Sequence, residues 1–100
     1  MSLDDLNEDI LDWGLKKGIL PGAEPLAQLE KTEEEVAELR EAIKEYDLEE
    51  IKDAIGDIFV TLVMQAEAWD MSMHDCVQSA YDVIKGRTGK MIDGKFVKDN

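Results

Sequence analysis

One hundred residues suffice for a single domain but lie near the low end for burying a self-sufficient core, so association between copies is expected. The composition, 44% hydrophobic and 35% charged with two prolines, excludes a disordered polar tract and suits helices. A formal net charge of −13 argues against nucleic acid as a partner, since a phosphate backbone wants a basic face.

Ser2 followed by Asp4 and Asp5 signals a helix start, and Leu3, Leu6, Ile10 and Trp13 recur at helical spacing until Gly18, which predicts a first helix over about residues 3–17. Ile19 to Pro25 reads as a connection. Leu26, Leu29, Val36, Leu39 and Ile43 then mark a long amphipathic helix to about Glu45. Asp47 caps a third helix from near Leu48, whose second half, Ile55 through Ala68, is apolar on nearly every side and should be central. Ser72 and Asp75 form the S-x-x-D pattern of a capping box for a fourth helix carrying Met73, Val77, Ala80 and Ile84 and ending near Gly86. Asp93-Gly94 between Met91-Ile92 and Phe96-Val97 is compatible with a small hairpin or a loop. The fold expected is an all-α four-helix bundle with a short C-terminal loop or hairpin, one domain over residues 1–100. No repeat or low-complexity segment interrupts it.

The lone Cys76 rules out an internal disulfide and a multi-cysteine zinc site, and no basic-then-apolar signal segment stands at the N-terminus, so a cytoplasmic location is expected. The apolar stretch Ile58 to Met64 is far shorter than the roughly 20 residues of a membrane span. Charge is divided unevenly: five of the eleven Lys and Arg residues, Lys85, Arg87, Lys90, Lys95 and Lys98, fall in a basic tail over about residues 85–100.

The acids carry the chemistry. On the second helix Glu35 and Glu38 stand about 60° apart, within reach of one cation, with Glu35 at the edge of the apolar stripe. On the third, Glu50, Asp53, Asp57 and Thr61 fall within about 40° of one direction. Asp57 opens the most apolar stretch of the chain, where an unpaired carboxylate costs several kcal/mol. Two outcomes satisfy such acids: ion pairs with Arg40, Lys44 or Lys52, or a hard divalent cation that also takes oxygens from a substrate phosphate. His74 is expected at the surface or in a cap and Cys76 as a small core residue. Trp13 and Trp69 are expected in core or interface, base stacking being the alternative. Gly86 to Lys90 lacks the spacing of a phosphate loop.

Glu34-Glu35-Val36-Ala37-Glu38-Leu39 and Gly56-Asp57-Ile58-Phe59 resemble the two metal motifs, E-E-x-x-E-L and E-x-x-D, of the MazG-type all-α nucleoside triphosphate pyrophosphatases. The likeness spans about residues 29–98. Its C-terminal part, Tyr81 to Lys90 and Gly94 to Lys98, resembles the phage and bacterial MazG-like subgroup. The chain departs from the pattern at Ala54, where the second motif has its first acid; Asp53, one turn before Asp57, is the expected substitute. The resemblance implies hydrolysis of a ribo- or deoxyribonucleoside triphosphate to monophosphate and pyrophosphate. It implies magnesium, with manganese as a substitute, on Glu35, Glu38, Asp53 and Asp57, and a dimer or tetramer that completes the bundle. Glu34 or Glu38 would be the catalytic base, while Asp82, Lys85, Arg87 and Lys90 would contact substrate. The departure at Ala54 leaves an alternative, a catalytically weakened nucleotide-binding or protein-interaction module.

Overall fold

The computed structural model describes all 100 residues: α1 (Leu3–Lys16), α2 (Pro25–Lys44), α3 (Leu48–Ala68), α4 (Met73–Ile84), then β1 (Gly89–Ile92) and β2 (Lys95–Lys98). Each helix starts where a side chain satisfies an otherwise unpaired backbone N–H. Ser2 and Asp5 form a reciprocal capping box on α1, Glu24 accepts from Ala27 on α2, Asp47 from Glu50 on α3, and Ser72 from Asp75 on α4. Pro25 belongs to α2 rather than to the connection, because the first helical position has no N–H partner to lose.

The core is the seam between α2 and α3, which run antiparallel through the tight turn at Glu45–Asp47 and make the most extensive contact in the molecule. Ala42 and Ala54, 2% and 1% exposed, let the two backbones approach. Two polar ties fix their register. Thr32 Oγ1 lies 2.8 Å from the Thr61 hydroxyl, which donates to the Ile58 carbonyl, and Gln65 Nε2 donates to the Pro25 carbonyl at 2.9 Å. The third helix is central as expected, packing against each of the other three.

The first helix closes on α3 through Gly14, which is buried. A Cβ at this position would stand 2.7 Å from Met64 Cε and 3.1 Å from Leu20 Cδ1, so any larger residue obliges the ends of these side chains to move. The fourth helix is different: it buries no residue, and Val77, Tyr81, Val83 and Ile84 are more than half exposed. Cys76 shares this exposure, correcting the expectation of a core position, because α4 packs on the rest of the chain too loosely to bury any residue.

The C-terminal segment is a hairpin. Asp93 and Gly94 both have positive φ, the conformation of a two-residue turn whose twist matches paired strands, and the register runs Met91 opposite Phe96 and Ile92 opposite Lys95. Its open end is tied by Thr88 Oγ1 to Asp99 Oδ2 at 2.8 Å and by Asp99 N to Thr88 O at 2.9 Å. All eight strand residues are exposed.

No helix is long and apolar enough to cross a membrane. Replacing Gly14 with valine puts a branched side chain against Met64 and Leu20, and Gly14→Val is expected to cost about 1–3 kcal/mol, seen as a lower urea midpoint at fixed protein concentration.

Candidate metal centre

Helical spacing along α2 and α3, with the register set by Thr32 and Thr61, brings acids from both helices to one place. Thr32 lies one turn before Glu35, and Thr61 one turn after Asp57, so the hydroxyl contact pins the seam beside the carboxylates. Glu35, Glu38 and Asp57 each offer an oxygen, all within 4.8 Å of one another. Their burial is graded. Glu35 is buried at 8% exposure, Asp57 is half-buried and Glu38 is exposed, so the group forms a pit with one open side.

Glu35 is the critical member. Its Oε2 is buried without a hydrogen-bond partner, while Oε1 lies 3.6 Å from Lys31 Nζ. Burial is the main reason its carboxyl is pushed above the usual range, followed by the neighbouring Glu38, whose carboxyl favours a proton on Glu35; Lys31 opposes the shift. Asp57 is raised as well, by burial first, then by Asp53 and Glu35, with Lys31 again opposing. Lys31 divides itself between Glu34 at 3.3 Å and Glu35, and these acids hold its own ammonium above the ordinary lysine range. One half-exposed lysine cannot neutralise three converging carboxylates. Neither Arg40 nor Lys52 makes an ion pair with them, and Lys44 pairs with Glu41 instead.

An all-oxygen donor set with an unpartnered buried carboxylate oxygen, open on one side, fits a hard divalent cation that keeps waters or takes phosphate oxygens. Asp53 stands outside the tight group of three but acts on Asp57 through its charge. Glu34 is exposed and engaged by Lys31. Asp82 accepts from Gln78 and Lys85 on the exposed fourth helix, and neither it nor Lys85, Arg87 or Lys90 lines a cavity that Asp57 also lines.

Two cavities flank Asp57. One, about 350 Å³, is shared by Glu35, Lys31, Gln28, Trp13 and Ile19 among others, so an aromatic and apolar wall adjoins the acids. The other, about 680 Å³, lies between α1 and α3, with Asp53 and Glu49 at its edge. Lys31 is the site residue that motif reading passes over; its signal was the i, i+4 spacing to Glu35. Trp13 reaches the first cavity because Gly14 lets α1 settle on α3.

Compared with protein families, residues 23–92 match the MazG nucleotide pyrophosphohydrolase domain, a span from the start of α2 to the end of β1 that includes all three clustered acids. No curated protein and no solved structure matches the chain.

The raised carboxyl of Glu35 has a sign that can be measured. A raised folded-state value favours folding below the unfolded value and loses that contribution as pH rises through the folded one. In chelator at pH 7, Glu35→Gln is therefore expected to melt a few degrees above the unsubstituted protein, with the gap closing on acidification as Glu35 takes up its proton. Millimolar magnesium is expected to reverse the order, because only the carboxylate gains from the cation.

Proposed function

Because the chain belongs to the MazG nucleotide pyrophosphohydrolase family, we propose that it hydrolyses ribo- or deoxyribonucleoside triphosphates between the α and β phosphates, releasing monophosphate and pyrophosphate. The supporting observation is the pit of Glu35, Glu38 and Asp57, with one buried carboxylate oxygen lacking any protein partner. Magnesium, or manganese in its place, is the cation proposed there, with Asp53 as a further ligand in place of the acid absent at Ala54. When bound, such a cation supplies the positive field that a polyphosphate requires beside these acids and acidifies water at the site.

The chain's own residues divide the remaining work. Glu35 and Asp57 are held by the α2–α3 seam, so their positions are set before substrate arrives. Glu38, exposed at the mouth, is better placed than Glu34 to accept the proton of the attacking water, since Lys31 holds Glu34. Trp13, Ile19 and Gln28 give the adjoining cavity a stacking surface, an apolar wall and an amide, which suits a nucleoside next to its phosphates. Lys85, Arg87 and Lys90 are proposed to balance charge on the departing pyrophosphate, and Asp82 to contact substrate. In the single chain none of these four lines the cavities at Asp57, so their participation calls for another copy. A homo-oligomer, dimer or tetramer, and a cytoplasmic location belong to the same proposal.

One observation favours a second reading. Ala54, at the motif's missing acid, is packed in the core at 1% exposure, so the chain has no carboxylate there. A nucleotide-binding module with weakened turnover would share the fold and the pit.

Pyrophosphate release from a panel of triphosphates with magnesium separates the two. Turnover is expected, and Asp57→Asn is expected to lower kcat by on the order of 10²-fold or more. Asp53→Asn is expected to weaken activity through a higher magnesium requirement. Nucleotide binding without release for every triphosphate, with magnesium or manganese, would establish the module instead.

A further inference from the structure

The chain is too open for a protein that works alone. Its accessible surface is 7755 Å², whereas the scaling for folded monomers gives about 5,700 Å² at this mass. Its radius of gyration is 15.6 Å against about 13 Å for a compact chain of this length. The excess, roughly 2,000 Å², is the scale of one partner's share in an obligate interface.

Two uncovered features of the same chain are complementary. The first is the hairpin. Lys90 pairs with Val97 and Ile92 with Lys95, so these four share one face in which the apolar and the basic side chains lie on opposite diagonals. Ile92 and Val97 are 42% and 44% exposed, and the hairpin makes no extensive contact with any helix of its own chain. Two strands by themselves are marginal in water, so this element gains from a surface to rest on. Residues 85–100 carry five basic and two acidic side chains; residues 1–84 carry six and twenty-two. The second feature is the 680 Å³ groove between α1 and α3, with Leu6, Ile55 and Phe59 among its apolar lining and the carboxylates of Glu49, Asp53 and Asp57 beside them, opposed by Lys52 alone.

We propose that the hairpin of one copy docks in this groove of a second copy, Ile92 and Val97 against its apolar lining and Lys90 and Lys95 beside its acids. Apolar surface meets apolar surface, and a basic arm meets an acidic body. Groove and arm are on every chain, so reciprocal exchange closes a two-fold dimer with no free arm left over. The groove includes Asp57, so docking also brings basic side chains of one copy to the acid site of the other. This last step rests on the proposed hydrolysis and completes that site with the cations a single chain does not bring to it.

Carbodiimide joins a lysine to a carboxylate only when the two are in contact. A 1:1 mixture of ¹⁴N and ¹⁵N full-length protein, cross-linked and digested, is expected to give mixed-isotope peptides linking Lys90 or Lys95 to Glu49 or Asp53. These links are expected to vanish in the Ile92→Asp, Val97→Asp double variant while its helical circular dichroism is retained. Hairpin lysines linked only within one isotope, or across copies only to acids outside the groove, would overturn the docking. Activity adds a second measure. Asp57→Asn and Lys90→Glu/Lys95→Glu copies, each weak alone, are expected on mixing to recover about a quarter of normal turnover, since half the dimers are mixed and each mixed dimer holds one complete site. Where the unsubstituted protein turns over, no recovery from a mixture whose subunits exchange would also overturn it. The cross-links report docking whether or not nucleotides are hydrolysed: an inert protein with mixed-isotope links retains the docking and loses the enzymatic reading, and turnover without such links does the reverse.

Discussion

Burial of Glu35 in the seam between α2 and α3 is the constraint around which the rest of the subunit is arranged. A carboxylate removed from water needs hydrogen bonds or counter-charge, and this one has a single lysine on one oxygen and nothing on the other. Packing forces alone would not retain such a group, because an apolar side chain of similar volume would fill the seam at lower cost. The proposed cation would offset that cost by sharing the acids, and the convergence of Glu38 and Asp57 on Glu35 agrees with it. The small residues Ala42 and Ala54 and the hydroxyl contact of Thr32 with Thr61 then acquire a purpose, holding two helices in the register at which the carboxylates meet.

Much of this was legible in the sequence, for physical reasons that differ by element. Helix starts were readable because caps are local chemistry: Ser2, Asp47 and Ser72 act on backbone groups three residues away. The meeting of Glu35 with Asp57 was readable from helical phase, since each acid sits at the boundary of an apolar stripe and the stripes must face each other. What periodicity does not carry is the third dimension. The i, i+4 spacing of Lys31 to Glu35 allows the pair but does not exclude Arg40 or Lys52 from the acids, and Gly14 looks like a helix-weakening residue until Met64 is seen beside it. The position of Cys76 was misjudged because the apolar face of α4 reads as a core face, whereas in the single chain α4 packs so loosely that it buries no residue. The motifs also extend less far than the fold: Asp82, Lys85, Arg87 and Lys90 are recognisable by resemblance, but their place in space is on the exposed fourth helix, the turn after it and the hairpin.

Exposed apolar side chains occur on every element of this chain: Leu6 and Trp13 on α1, Leu29 and Val36 on α2, Ile55 and Leu62 on α3, Val77 and Tyr81 on α4, and Met91 and Phe96 on the hairpin. Isolated surface leucines need no explanation, but so many exposed apolar side chains on so short a chain agree with the proposed contact between copies.

The tie between Thr88 and Asp99 bears on how quickly such contact can be made. With a two-residue turn at one end and two hydrogen bonds at the other, the hairpin is closed into a small ring before it meets anything. In the proposed docking these ties reduce, for an element that is marginal by itself, the chain freedom still to be lost on settling against a surface.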